Sequence, residues 1–122
     1  MAWEFQNGVP IYRQIALRLE TEIAAGKFEA GQQMPSVRDL AVEAGVNPNT
    51  MQRALALLET DGILFSVRTS GRFVTKEEMR LKDLRNQLAE EEIAALFGRL
   101  KAIGMTRQEI IGAISRWGDR VL

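Results

Sequence analysis

The six residues from Gly45 to Thr50, GVNPNT, constrain this chain more than any other stretch. They separate two helical patterns, SVRDLAVEA and MQRALALLE, that could otherwise run on as one. Ser36 and Asp39 have the Ser-x-x-acid spacing of a capping box and open the first pattern. Leu40, Ala41 and Ala44 form its buried side. Gly45 is then the left-handed terminator, with Val46 packing back after it. Asn47 is an N-cap residue, and Pro48 stands at the first helical position, where its missing N–H costs nothing. One helix is stopped and another started, at a steep angle, within about three residues, which is how a helix-turn-helix is made.

The second helix is expected to reach Thr60. Met51, Ala54, Leu55 and Leu58 follow the i, i+3, i+4, i+7 spacing of a buried face. The opposite face carries Asn49, Gln52, Arg53, Ala56 and Thr60, with Thr50 between the two sides. It holds no acid over its first two turns, and amides and guanidiniums can hydrogen-bond to base edges and phosphates. A plain solvated face fits the helix alone almost as well. Asp61-Gly62 closes the helix, and ILFSV and RFVT read as two strands around RTSG. A hairpin in this place is a wing. Its tip has Arg68 and Arg72 flanking Thr69, Ser70 and Gly71, suited to close approach to a phosphate backbone or minor groove. The tip alone would pass for a solvated turn. Two helices, a polar face and a wing in order and at the right spacing favour DNA.

Upstream, Pro10 opens a helical run whose stripe is Ile11, Ile15, Leu19 and Ile23, with Tyr12 and Ala16 beside it and Gly26 ending it. KFEAGQQMP is a loop from which Phe28 and Met34 fold back onto the core, and WEF is a candidate short strand. Formal charge is zero overall, so a nucleic-acid partner has to rest on local placement. From Asn49 to Lys76, Arg53, Arg68, Arg72 and Lys76 face only Glu59 and Asp61. Residues 1 to 48 are richer in acid than base. The excess on the reading elements is modest and suggests a binder that needs two copies.

The stretch from Pro10 to Val74 resembles the N-terminal winged helix-turn-helix of GntR-family transcription regulators. The markers are GQQMPSVRDLA, VNPNTMQRALALLETDG and RTSGRFV, with Met34 where the family has Leu. PIYRQI, the VNPNT turn and the short tail resemble the YtrA-type branch. The resemblance implies DNA contacts at Arg38, Asn49, Thr50, Gln52 and Arg53, and at the wing tip around Thr69, Ser70, Gly71 and Arg72. It also implies a dimer formed by the tail, and repression as the commoner outcome.

After Val74 the pattern changes to a long helix without proline. Leu81, Leu84 and Leu88 make one stripe. Ala89, Ile93, Leu96, Leu100 and Ile103 make a second at the 4-3 spacing of helix–helix packing. Gly98 is either a kink or a close-packing point, and Gly104 stops the helix. Thr106 and Glu109 form a second capping box, and Ile110, Ile111, Ile114, Trp117 and Val121 share a face of the last helix. Two helices cannot cover this much apolar surface between themselves. It either packs on the winged part or, the favoured reading, pairs with a second copy into a four-helix assembly.

The expected fold is therefore mainly α with a small β-hairpin wing: a winged helix-turn-helix over residues 1–75 and a two-helix dimerisation hairpin over 76–122. The chain has no His or Cys, and its EEE run at 90–92 is consecutive on one helix, so an enzyme, a metal site and a cofactor are not expected. No apolar run suits a membrane span and the N-terminus lacks a signal peptide's pattern, so a cytoplasmic address is expected. The apolar residues of the winged part are all assigned to its core, so a small-molecule effector would have to lodge in the tail. The competing function is a winged-helix module for protein contact. Salt separates the two, because DNA binding weakens steeply with ionic strength.

Overall fold

The structure, a computed structural model, describes residues 2–121. Helix α1 spans Ile11–Ala24, α2 Val37–Ala44 and α3 Pro48–Thr60. Strands β1 (Leu64–Val67) and β2 (Gly71–Val74) follow, then α4 (Glu78–Ala102) and α5 (Arg107–Val121). The chain forms two compact units, one up to Arg85 and one from Asn86 on.

In the first unit α3 packs against both α1 and α2. Ile15, Leu19 and Ile23 of α1, Leu40, Ala41 and Ala44 of α2, and Met51, Ala54, Leu55 and Leu58 of α3 are all buried. Phe28 and Met34 close over them from the intervening loop, and Ile63, Leu64 and Val74 complete the core from the hairpin. Each large apolar side chain buried here contributes about 1.5–3 kcal/mol. Ile11, assigned to the α1 stripe, is 44% exposed. Pro10 is the N-cap rather than the first helical residue, so Ile11 opens the helix and lies at the edge of the core.

β1 and β2 pair antiparallel, with Leu64 opposite Val74, Phe65 opposite Phe73, Ser66 opposite Arg72 and Val67 opposite Gly71. The segment expected to be only a loop adds a third short edge. Gly31 N–H donates to Val74 O at 2.9 Å, Val74 N–H to Gln32 O at 2.9 Å, and Met34 N–H to Arg72 O at 2.8 Å. Trp3 is buried, but WEF is no strand. The Trp3 N–H donates to Ala44 O at 3.1 Å, the C-terminal end of α2, where no strand is available to pair with it.

The first unit continues ten residues beyond the boundary drawn at 75. Arg80 donates twice to Asp61 O, at 3.0 and 2.9 Å, and Leu84 is fully buried, so the first turns of α4 are fastened to the end of α3. In the second unit α4 and α5 meet at a turn where Gly104 has φ +92°. Thr106 and Glu109 there cap each other reciprocally, at 2.9 and 3.2 Å. The backbone N–H and hydroxyl of Thr106 hold the Glu109 carboxyl below its ordinary value. Among the described residues no helix is long and apolar enough to cross a membrane.

Candidate nucleic-acid interface

The turn between α2 and α3 is built as its residue types require. Ser36 Oγ accepts from Asp39 N–H at 3.0 Å, starting α2. Gly45 ends it at φ +73°, and a Cβ there would lie 2.5 Å from the Cβ of Ala2, so glycine is needed for both conformation and space. Asn47 Oδ1 accepts from Asn49 N–H at 2.7 Å, and Pro48 follows at the first helical position. These contacts aim α3 outward. Asn49, Gln52, Arg53, Ala56 and Thr60 are exposed, Thr50 is half-buried, and Arg38 of α2 is exposed. Thr60 Oγ donates to Ala56 O at 3.1 Å, which occupies its hydroxyl proton within the helix.

Arg53 does not extend freely. Its guanidinium carbon lies 3.9 Å from the centre of the Tyr12 ring on α1. The sequence reading placed Tyr12 beside the apolar stripe, and only the packing of α1 on α3 brings the two together.

At the wing tip Arg68, Thr69, Ser70 and Gly71 are exposed. Ser70 N–H donates to Val67 O at 3.0 Å, and Thr69 takes φ +71°. That conformation is costly for a β-branched residue, about 1–3 kcal/mol. Gln33 Nε2 donates to Ser70 O at 2.6 Å, tying the tip to the loop that leads into α2.

Arg72, expected with Arg68 to flank the tip for close approach to a phosphate backbone or minor groove, is drawn in against α3. It lies on β2 opposite Ser66, and its side chain is only 16% exposed. Its Nε donates to Glu59 Oε1 at 2.5 Å, and Ser66 Oγ donates to the same oxygen at 2.5 Å. Its Nη1 donates to Gln52 Oε1 at 3.3 Å. The Ser66 hydroxyl foremost, then the bond and charge of Arg72, hold the Glu59 carboxyl below its ordinary value, against a smaller upward push from burial than their sum. The wing is thus buttoned to α3 through one carboxylate. Sequence spacing could not show this, because the partners lie 13 and 7 residues apart on different elements.

The expectation that every apolar residue of the winged part is core does not hold. Val9 and Leu17 are 46% and 50% exposed. With Trp3, Phe5 and Arg18 they line an open cleft of about 330 Å³.

The family model described as "Bacterial regulatory proteins, gntR family" matches residues 11–74, from the start of α1 to the end of β2. The chain belongs to the GntR family. This GntR-family chain is 32% identical to the uncharacterized HTH-type transcriptional regulator YhcF of Bacillus subtilis over 116 residues, 95% of the chain and 96% of YhcF. It is 34% identical to the B. subtilis HTH-type transcriptional repressor YtrA over 71 residues, 58% of the chain and 55% of YtrA. A GntR family transcriptional regulator from Listeria monocytogenes superposes with a TM-score of 0.84 at 36% identity, covering 92% of this chain and 98% of that one. The AraR DBD in complex with operator ORX1 superposes with a TM-score of 0.56 at 29% identity, covering 62% of this chain and 99% of that one. These relatives are regulators rather than enzymes. They bear out the winged helix-turn-helix fold and the GntR resemblance, with YtrA among the relatives.

Proposed function

We propose that the chain is a sequence-specific DNA-binding repressor that acts in the cytoplasm as a homodimer on an inverted-repeat operator. The observation that carries this reading is the exposed face of α3. Asn49, Gln52 and Arg53 project from it without an acid among them, beside a wing tied to α3 and to the loop before α2. Such a helix enters the major groove and a wing tip meets the backbone or minor groove. Arg38, Asn49, Thr50, Gln52 and Arg53 are the assigned contacts, with Arg68, Thr69, Ser70, Gly71 and Arg72 of the wing. The operator complex of the AraR DBD supports DNA as the ligand, and the names of repressors among the relatives support the direction of control.

The dimer rests on the tail. Among the described residues of the second unit Ile110 alone is buried. Leu88, Leu96 and Leu100 are half-buried, while Ile93, Ile103, Ile111, Ile114, Trp117 and Val121 are 41–73% exposed. A second copy is the occupant that covers such a surface symmetrically, and an inverted repeat read in successive major grooves would need two α3 helices about 34 Å apart. Leu81 and Leu84, also assigned by the sequence to the dimer seam, belong to the first unit.

The test is selection of tight-binding sequences from random duplexes by the full chain, followed by titration at several salt concentrations. An inverted repeat bound with a steep salt slope is expected. A salt-insensitive protein contact and no selected sequence would favour the interaction-module reading instead.

A further inference from the structure

The contact between Arg72 and Gln52 carries chemical information that neither residue has alone. A guanidinium has donors and no acceptor, so the side of the Gln52 amide that meets Arg72 must be its oxygen. Arg72 is itself anchored independently of Gln52, by the Glu59 carboxylate that Ser66 also engages. Gln52 and Glu59 stand seven residues apart on the same face of α3, so one arginine from the wing spans two turns of the helix. The Gln52 amide nitrogen is then left as the outward group, on an exposed side chain at the centre of the reading face.

We propose that Arg72 is a positioning residue that turns Gln52 from an adaptable amide into a fixed donor, so that the helix rejects cytosine at the base Gln52 faces. This rests on the DNA-binding reading above. A free glutamine can offer its oxygen or its nitrogen to a base by rotating the amide. A glutamine whose oxygen is held by Arg72 offers N–H donors. In the major groove the purines present N7, guanine adds O6 and thymine presents O4, all acceptors. Cytosine presents only its N4 amine, a donor, so a donor placed opposite it leaves both groups unpaired. The specificity follows from the wing, although the residue that touches the base lies on the helix.

The test uses the full chain and a set of operators carrying each of the four bases at every half-site position, at one salt concentration. The parent should lose about tenfold in affinity when cytosine occupies one particular position of each half-site. Arg72→Ala and Gln52→Ala should each abolish that rejection at the same position, and the double variant should do no more than either. Gln52→Glu keeps an acceptor for Arg72 but replaces the donors, and should reverse the preference so that cytosine is favoured there. Uniformly weaker binding by Arg72→Ala with the cytosine rejection intact would overturn the proposal, making Arg72 a backbone contact only. Thermal melting reports whether Arg72→Ala stays folded. If it does not, Arg72→Lys decides, since its single ammonium can still pair with Glu59 without also forking to Gln52, and continued rejection of cytosine by it overturns the proposal. A parent protein that prefers no sequence at all overturns the DNA-binding reading and the positioning role with it.

Discussion

The guanidinium carbon of Arg53 lies 3.9 Å from the centre of the Tyr12 ring, joining the exposed face of α3 to the first turn of α1. A cation over a half-buried aromatic ring at the surface is worth about 0.5–1 kcal/mol, and it restricts a side chain that otherwise has many rotamers. Tyr12→Ala should therefore weaken operator binding about two- to fivefold, while Tyr12→Phe, which keeps the ring, should leave it within error. Equal losses in the two variants would show that the hydroxyl acts instead of the ring.

Arg53 itself should be worth more. Arg53→Ala is expected to cost about 1–3 kcal/mol of operator affinity and to relax preference at one base pair per half-site. The fold should be unaffected, because Arg53 is exposed and lies off the buried face of α3. Titrations on operator and scrambled duplex separate the two quantities. Undiminished selectivity would remove this face from the proposed reading surface.

Acid should loosen the wing. The folded Glu59 carboxyl lies below its ordinary 4.5, so it stabilises the structure above that pH, and the contribution is lost as pH falls through the folded value. Wing amides, Arg72 among them, should lose hydrogen-exchange protection in that acid range before the α1–α3 core does. Glu59→Gln should flatten this pH dependence. A wing that opens over the same range in the variant would assign the effect to other carboxylates.

The proposed dimer should be severed by charge in the tail. Ile111→Glu with Ile114→Glu alters two exposed side chains of α5 and should yield a folded monomer that binds a full operator at least tenfold more weakly. Deletion should start at Asn86 rather than earlier, because Arg80 and Leu84 belong to the winged unit. Sedimentation checks both, and an unchanged dimer would place the interface elsewhere.

Gly45→Ala should destabilise the winged unit by more than about 1 kcal/mol, since it adds strain at φ +73° to a 2.5 Å approach to Ala2. A thermal melt reads this directly. Little change would show that the N-terminal segment moves aside at no cost.

Local signals made most of the fold legible. The boundaries of α2 and α3 were written in Ser36, Gly45, Asn47 and Pro48, each of which acts within a few residues of itself. The buried face of α3 followed from spacing alone. What escaped was long-range. Gln32 and Gln33 gave no strand pattern, yet their segment completes the sheet because β2 offers it an open edge. Arg72 read as an outward-facing cation of the wing tip because nothing near it in sequence reveals Glu59. Tyr12 looked like part of a stripe until α1 crossed α3. The boundary between units moved to Arg85 because a helix can change its packing partner without any change in its own pattern. On the exposed face of α3, residue types were evident from spacing, whereas their mutual restraints depend on tertiary packing.

The bond from Gln33 to Ser70 gives the winged unit the character of a caliper. Gln33 lies just before α2, which bears Arg38, while Ser70 is at the wing tip, so the separation of these two arms is set by the protein in advance. On the contacts proposed above for Arg38 and the wing tip, a duplex touching both would have to conform to that span. Base pairs that no side chain reaches would then still affect affinity, through the stiffness with which they resist the required groove width.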